Sequence, residues 1–78
     1  MKFEVRRNDN VLFHGEIQGG RVQMSGPGEF AAAGTVEANG RIQLWAGRTL
    51  FATGHMGDRG RIDFLDLKGT AYHGQTSD

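Results

Sequence analysis

The sequence predicts an all-β domain, an antiparallel up-and-down meander of about eight short strands that closes or nearly closes into a small barrel. Three observations support this fold class: a repeat of fixed period, an alternation of apolar and polar residues, and glycine-containing turns between repeats. The repeat is clearest in residues 20–24 (GRVQM), which return as 40–44 (GRIQL) and 60–64 (GRIDF). A fixed period in a short chain indicates one supersecondary unit used repeatedly.

The period predicts a single domain, residues 1–78, built of four tandem hairpin repeats of 19 or 20 residues, at about 1–18, 19–38, 39–58 and 59–78. Each repeat holds a short strand with two inward apolar residues, followed by a longer strand whose third inward position is glycine. These glycines are Gly15, Gly34, Gly54 and Gly74. A glycine inside a strand lets the sheet coil sharply and, with Ala32 and Ala52 on the same inward face, leaves room in a narrow interior, so the pattern favours barrel closure.

Alternation of apolar and polar residues predicts which side chains point into the barrel, because successive side chains of a strand face opposite sides. The predicted inward set is Phe3, Val5, Val11, Phe13, Ile17, Val22, Met24, Phe30, Val36, Ile42, Leu44, Leu50, Met56, Ile62, Phe64 and Tyr72. An eight-stranded barrel is only wide enough for its own side chains. We therefore expect a packed interior without a ligand cavity.

The turns between repeats support antiparallel pairing. Residues 38–40 (ANG) and 58–60 (DRG) predict three-residue hairpin loops with glycine at a position of positive φ. Between Ile17 and Val22 one residue is missing, and Gly19-Gly20 predicts a two-residue hairpin turn. Both loop lengths keep the same side chains inward, as a meander requires. No helix is predicted.

A repeat of this length is also typical of a β-solenoid, in which each coil stacks in parallel on the next. The hairpin turns oppose it, and the sequence has no recurring asparagine that would form a stacked ladder. A sandwich of two sheets is a smaller variant of the barrel prediction.

Composition limits the classes of function. The chain has no cysteine, so no disulfide or cysteine-based metal site is available. Nine basic residues balance nine acidic ones, so no global field attracts nucleic acid or anionic lipid. No apolar run approaches the roughly 20 residues of a membrane span. We expect a soluble, cytoplasmic protein that does not contact the membrane.

Residues that could carry chemistry do not form a recognisable site. His14, His55 and His73 are predicted to point outward from three separate strands, whereas zinc needs three or four converging ligands. Ser25 and Ser77 lack a histidine and an acid at catalytic spacing. We therefore predict no enzyme, no metal and no cofactor. An enzyme whose site assembles across an oligomer is a weaker alternative.

A repeated basic position supports one binding hypothesis. Lys2, Arg21, Arg41 and Arg61 occupy the same outward position in the four repeats. In a barrel they would form a ring near one end, spaced by two strands or about 9.5 Å. The ring could bind anions or nucleic acid, with an affinity that falls steeply as salt is added. Alternatively, the arginine stems only shield apolar neighbours.

Apolar residues that break the alternation support a second binding hypothesis. Trp45, Phe51, Leu65 and Leu67 fall at outward or loop positions in the predicted fifth to seventh strands. The positions equivalent to Trp45 hold Arg6 and Ser25, so the fold itself does not require an apolar residue there. Clustered exposed apolar side chains often mark interfaces. The alternative is that Trp45 and Leu67 fold over the barrel mouth as a plug.

The function we predict from the sequence is a non-catalytic small barrel that binds a protein partner, or a second copy of itself, through these apolar residues. Anion or nucleic-acid binding through the basic ring is the alternative. A repeat lectin with shallow equivalent sites is a further alternative, but no exposed aromatic residue recurs at equivalent positions.

Overall fold

The computed structural model describes residues 1–77 and contains eight antiparallel strands in a meander. The strands are β1 (Lys2–Arg7), β2 (Leu12–Gln18), β3 (Arg21–Gly26), β4 (Phe30–Val36), β5 (Arg41–Ala46), β6 (Thr49–Met56), β7 (Arg61–Asp66) and β8 (Ala71–Ser77). Each strand pairs with the next, and β8 pairs with β1, so the sheet is a closed barrel. The predicted fold class is confirmed. Asp78, at the end of the fourth predicted repeat, lies outside the described residues.

Closure rests on a continuous antiparallel ladder between the first and last strands. Phe3 lies opposite Thr76 in β8 and opposite Gly15 in β2, and the pairing of β1 with β8 extends from Lys2 to Arg7. Both sides of β1 are therefore hydrogen-bonded. A barrel closed in this way has no free strand edge that could pair with another chain.

The core lies inside the barrel, and every buried residue is apolar except for the phenol of Tyr72. The buried residues are Phe3, Val5, Phe13, Ile17, Val22, Met24, Ala32, Ile42, Leu44, Ala52, Ile62, Phe64 and Tyr72. Val11, Phe30, Val36 and Met56 are half-buried and pack against this core. All of these were predicted to point inward, the two alanines because they leave room in a narrow interior. The alternation of apolar residues is thus sufficient to place most of the core.

The four inward glycines lie where the backbones of neighbouring strands approach most closely. A Cβ atom added to Gly34 would overlap the carbonyl oxygen of Gln43, and one added to Gly74 would overlap that of Glu4. These atoms belong to backbone, which cannot move aside as a flexible side chain does. The absence of a side chain therefore lets each long strand coil tightly against its neighbour.

The turns agree with the sequence except in one detail. Gly19 and Gly20 both have positive φ, as a two-residue hairpin turn of type I′ requires, and Gly40 has a φ of 90°. The sequence predicted no helix, but Asp58–Gly60 form a single 3₁₀ turn. Arg59 has a φ of 61° inside that turn. A three-residue loop that tightens in this way still joins antiparallel strands, so the register is unaffected.

A β-bulge in the hairpin of β5 and β6 corrects the predicted facing of two residues. Leu44 pairs with Ala52 but Trp45 pairs with Leu50, so Phe51 has no partner on β5. Residues directly opposite each other share a face. Leu50, predicted inward, therefore lies on the outer face beside Trp45. Phe51, predicted outward, is half-buried and packs against the core.

Candidate binding surfaces

The loops joining β1 to β2, β3 to β4, β5 to β6 and β7 to β8 lie together at one end of the barrel, which we call the mouth. Four aromatic rings form a closed cycle at this end. Phe13 contacts Phe30 and Tyr72, and Phe51 contacts the same two rings, with centroid distances from 4.9 to 5.9 Å. The tilted and edge-to-face arrangements are those that aromatic pairs prefer. The cycle gives the mouth a rigid apolar floor.

Above this floor the mouth opens into a recess of about 970 Å³. Its walls are supplied by the four loops, including Pro27, Leu67 and Lys68. Below the floor the buried side chains form one contiguous apolar cluster. The recess at the mouth was not predicted. The prediction of a filled barrel considered only the strands, whereas the recess forms because the loops rise above the last layer of side chains.

Asp66 organises the loop between β7 and β8 at the edge of the recess. One carboxylate oxygen accepts hydrogen bonds from the backbone amides of Lys68 and Thr70, both at 2.9 Å, and the other accepts one from the Tyr72 hydroxyl at 3.0 Å. Partial burial raises the pKa of Asp66, but these hydrogen bonds outweigh burial and lower it below the usual value. The carboxylate is thus ionised at neutral pH, and both of its oxygens accept hydrogen bonds from the loop or from β8.

Arg7 and Asp9 form a second polar element of the rim. Arg7 Nε and Nη2 each donate a 2.8 Å hydrogen bond to a separate oxygen of Asp9. The Arg7 guanidinium also lies 5.4 Å from the centroid of the Phe13 ring. The hydrogen bonds from Arg7 lower the pKa of Asp9. This pair covers one side of the aromatic floor and leaves neither charge free to bind a ligand.

The structure separates the four residues predicted to bind a partner into three places. Trp45 on β5 and Leu65 on β7 lie on the outer wall, 41% and 52% exposed, and Leu67 lies on the mouth rim, 67% exposed. We call Trp45 and Leu65 the wall patch, because Leu67 instead lines the recess at the mouth. Phe51 is instead part of the recess floor, so its predicted place in an exposed patch is wrong. Trp45 does not lie over the mouth as a plug, because it borders a different concavity.

That second concavity is a trough of about 690 Å³ on the outer wall, which we call the alanine trough. Ala31 and Ala33 form its floor on β4, and Trp45 and Gln23 flank it on the adjacent strands. Ala33 pairs with Gln23 on one side and with Trp45 on the other. The flanking residues are therefore separated by two strand spacings, about 9.5 Å. The large Trp45 side chain therefore lies immediately beside a gap, because the alanine side chains on β4 end at Cβ.

The basic ring has the predicted geometry. Lys2, Arg21, Arg41 and Arg61 begin alternate strands at the end opposite the mouth, and all four are exposed. Arg61 is already engaged, since its Nε donates a 3.0 Å hydrogen bond to Asp63. Anion or nucleic-acid binding by this ring stays a prediction.

No protein-family model, curated protein or solved structure matches the chain. Residues 1–77 contain no helix long and apolar enough to cross a membrane. In the same residues no three histidine, aspartate or glutamate side chains are grouped so that they could hold a metal ion. The two concavities and the wall patch are therefore the candidate binding surfaces of the described residues.

Sequence reasoning missed three features of these surfaces. Ala31 and Ala33 point outward on β4. Small outward residues indicate a concavity only when the large side chain beside them on the neighbouring strand is known. Asp66 follows Ile62 and Phe64 at the inward spacing, so alternation alone could have placed it at the mouth. The bulge at Phe51 left no signal in the sequence, because it displaces one residue in a hairpin of otherwise ordinary length.

Proposed function

We propose that the chain is a non-catalytic binding module that acts through protein–protein contact at the wall patch, and that its partner is a second copy of the same chain. The observation that carries the proposal is the position of exposed Trp45 beside the alanine trough. Large apolar groups left in water at one place favour association. Aromatic residues, tryptophan above all, are the usual anchors of such contacts.

A second copy fits this surface because the projection and the gap are neighbours. In a two-fold contact the same patch of both chains meets, so each Trp45 can enter the alanine trough of the other copy. Leu65 extends the apolar surface onto β7, and half-buried Ala71 lies opposite it on β8. The apolar stripe thus crosses several strands of the outer wall.

Size and charge are compatible with such a dimer. A stable interface buries about 800 Å² on each partner. The barrel measures 28 × 26 × 21 Å, so a contact of that area occupies one whole side of it. The formal net charge is zero, so two copies do not repel each other at neutral pH. The barrel is already closed in one chain, and association therefore adds a function instead of completing the fold.

The test is the molar mass of the purified chain by size-exclusion chromatography with light scattering, at concentrations up to the submillimolar range. We expect a dimer for the native chain and a monomer for Trp45→Ser with Leu65→Ser. Ala33→Glu, which fills the trough with a charge, is also expected to be monomeric. Leu12→Ser is the matched control, because Leu12 on β2 pairs with outward-facing Arg6 and does not line the trough, so this variant should remain a dimer.

Circular dichroism and thermal unfolding must show that the variants fold, since outer-wall substitutions should leave the core intact. A native chain that stays monomeric throughout the concentration range contradicts self-association. A dimer that survives both Trp45→Ser with Leu65→Ser and Ala33→Glu would place the contact elsewhere.

A further inference from the structure

We infer that the mouth recess is a binding site for a small amphipathic ligand with an apolar body and an anionic end group. The inference is independent of the wall patch. It depends on three properties of the mouth: an apolar floor that is already formed, walls that leave a concave space above it, and one basic side chain whose ammonium group makes no hydrogen bond or close ion pair within residues 1–77.

The floor offers apolar surface at the bottom of a concavity. Phe13 and Tyr72 are buried, whereas Phe30 and Phe51 are only half-buried and line the recess. Their contacts with the buried rings hold them in place, so a ligand would meet a surface that needs no rearrangement. Small-molecule sites are typically preformed, mostly apolar concavities of about 300 to 1,000 Å³. The recess, at about 970 Å³, has that size.

The charges at the rim select the end group of the ligand. Arg7 and Asp9 neutralise each other in a pair with two hydrogen bonds, and Asp66 is occupied by the three hydrogen bonds of its loop. Lys68 also lines the recess, is exposed, and makes no ion pair within residues 1–77. The formal charges of these four rim residues cancel, and the charge of Lys68 helps to lower the pKa of Asp66. The Asp66 oxygens already accept hydrogen bonds, whereas the Lys68 ammonium donates none within residues 1–77, so the free donor at the rim is cationic and favours a carboxylate or sulfonate.

A cationic ligand is disfavoured for the same reasons, although aromatic rings often bind cations. Phe13 already has the Arg7 guanidinium over its face. Both carboxylates of the rim are engaged by donors of the protein, so a ligand cation would have to displace those bonds. The Asp66 carboxylate also fixes the position of Lys68 by accepting its backbone N–H.

The experiment uses the full chain and the fluorescent probe 8-anilinonaphthalene-1-sulfonate, which combines aromatic rings with an anionic group. We expect saturable binding with one probe per chain, and displacement by laurate. The largest changes in backbone amide chemical shift should fall at Phe30, Phe51 and Thr70. Cooperative thermal unfolding must be measured in parallel, because the probe also binds loosely folded chains.

Variants at the rim and the floor separate charge from apolar contact. In Lys68→Glu the rim side chain repels the anionic group of the probe instead of attracting it, so the affinity for the anionic probe should fall by about fivefold or more. Lys68→Arg keeps the positive charge and should retain that affinity. Phe51→Leu should weaken binding through lost aromatic contact. Neutral N-phenyl-1-naphthylamine is the matched probe, and its affinity should not change in Lys68→Glu.

Several outcomes would overturn the inference: no saturable binding of the anionic probe, equal affinity in Lys68→Glu, or shift changes centred on Trp45. Trp45→Ser with Leu65→Ser should bind the probe as the native chain does. Failure of the wall patch as an interface therefore leaves the recess unaffected, and failure of the recess leaves the wall patch unaffected.

Discussion

At the scale of single residues, four glycines determine how tightly the sheet can coil. Gly34 and Gly74 meet neighbouring backbone so closely that no side chain fits, and Gly54 would direct a Cβ atom onto the carbonyl oxygen of Asp63. A glycine in a strand loses packing and chain entropy, so its recurrence at one inward position needs a structural cause. Here the cause is the close approach of strands in a barrel of small radius.

Gly34→Ala tests this cause. The added methyl group would overlap the Gln43 carbonyl, so the strands must separate, and we expect the free energy of unfolding to fall by about 3 kcal/mol or more. Gly57→Ala is the control, because its added Cβ would come no closer than 3.9 Å to His55 and its φ is negative. Urea unfolding followed by circular dichroism measures both variants. Equal stability of the two would refute the role of the close approach.

At the scale of elements, the hairpin of β5 and β6 shows how far sequence reasoning reaches. The period and the alternation placed both strands, and the repeated glycines predicted their coiling. The bulge could not be predicted from the sequence. An extra residue in a strand interrupts the alternation in the same way as a single apolar residue that is simply exposed. Trp45 was placed correctly on the outer face, whereas Leu50 and Phe51 exchanged faces for this reason.

Phe51→Ser distinguishes a floor residue from an exposed one. The ring contacts Phe30 and Tyr72 and packs against the core, so its loss should lower the free energy of unfolding by about 2 kcal/mol. Leu67→Ser is the matched control, because Leu67 is 67% exposed and its change should stay within about 0.5 kcal/mol. Thermal and urea unfolding give the comparison. A Phe51 variant as stable as the Leu67 variant would return Phe51 to the exposed patch.

At the scale of the whole molecule, closure compensates for the small size of the domain. A chain this short buries only about 60% of the surface that it exposes when unfolded, and it has no cysteine to cross-link it. Pairing β8 with β1 satisfies the backbone groups that two edge strands would otherwise expose. Trp45 and Leu65 lie outside the core and are exposed on the outer wall.

Amide hydrogen exchange in the native chain tests closure most directly. If the barrel is closed, the amides of β1 that point toward β8, and those of β8 that point toward β1, should be protected to a degree similar to the amides shared by β3 and β4. Exchange of the β1 and β8 amides at rates close to those of an unstructured peptide, with β3 and β4 still protected, would show an open sheet and contradict the account.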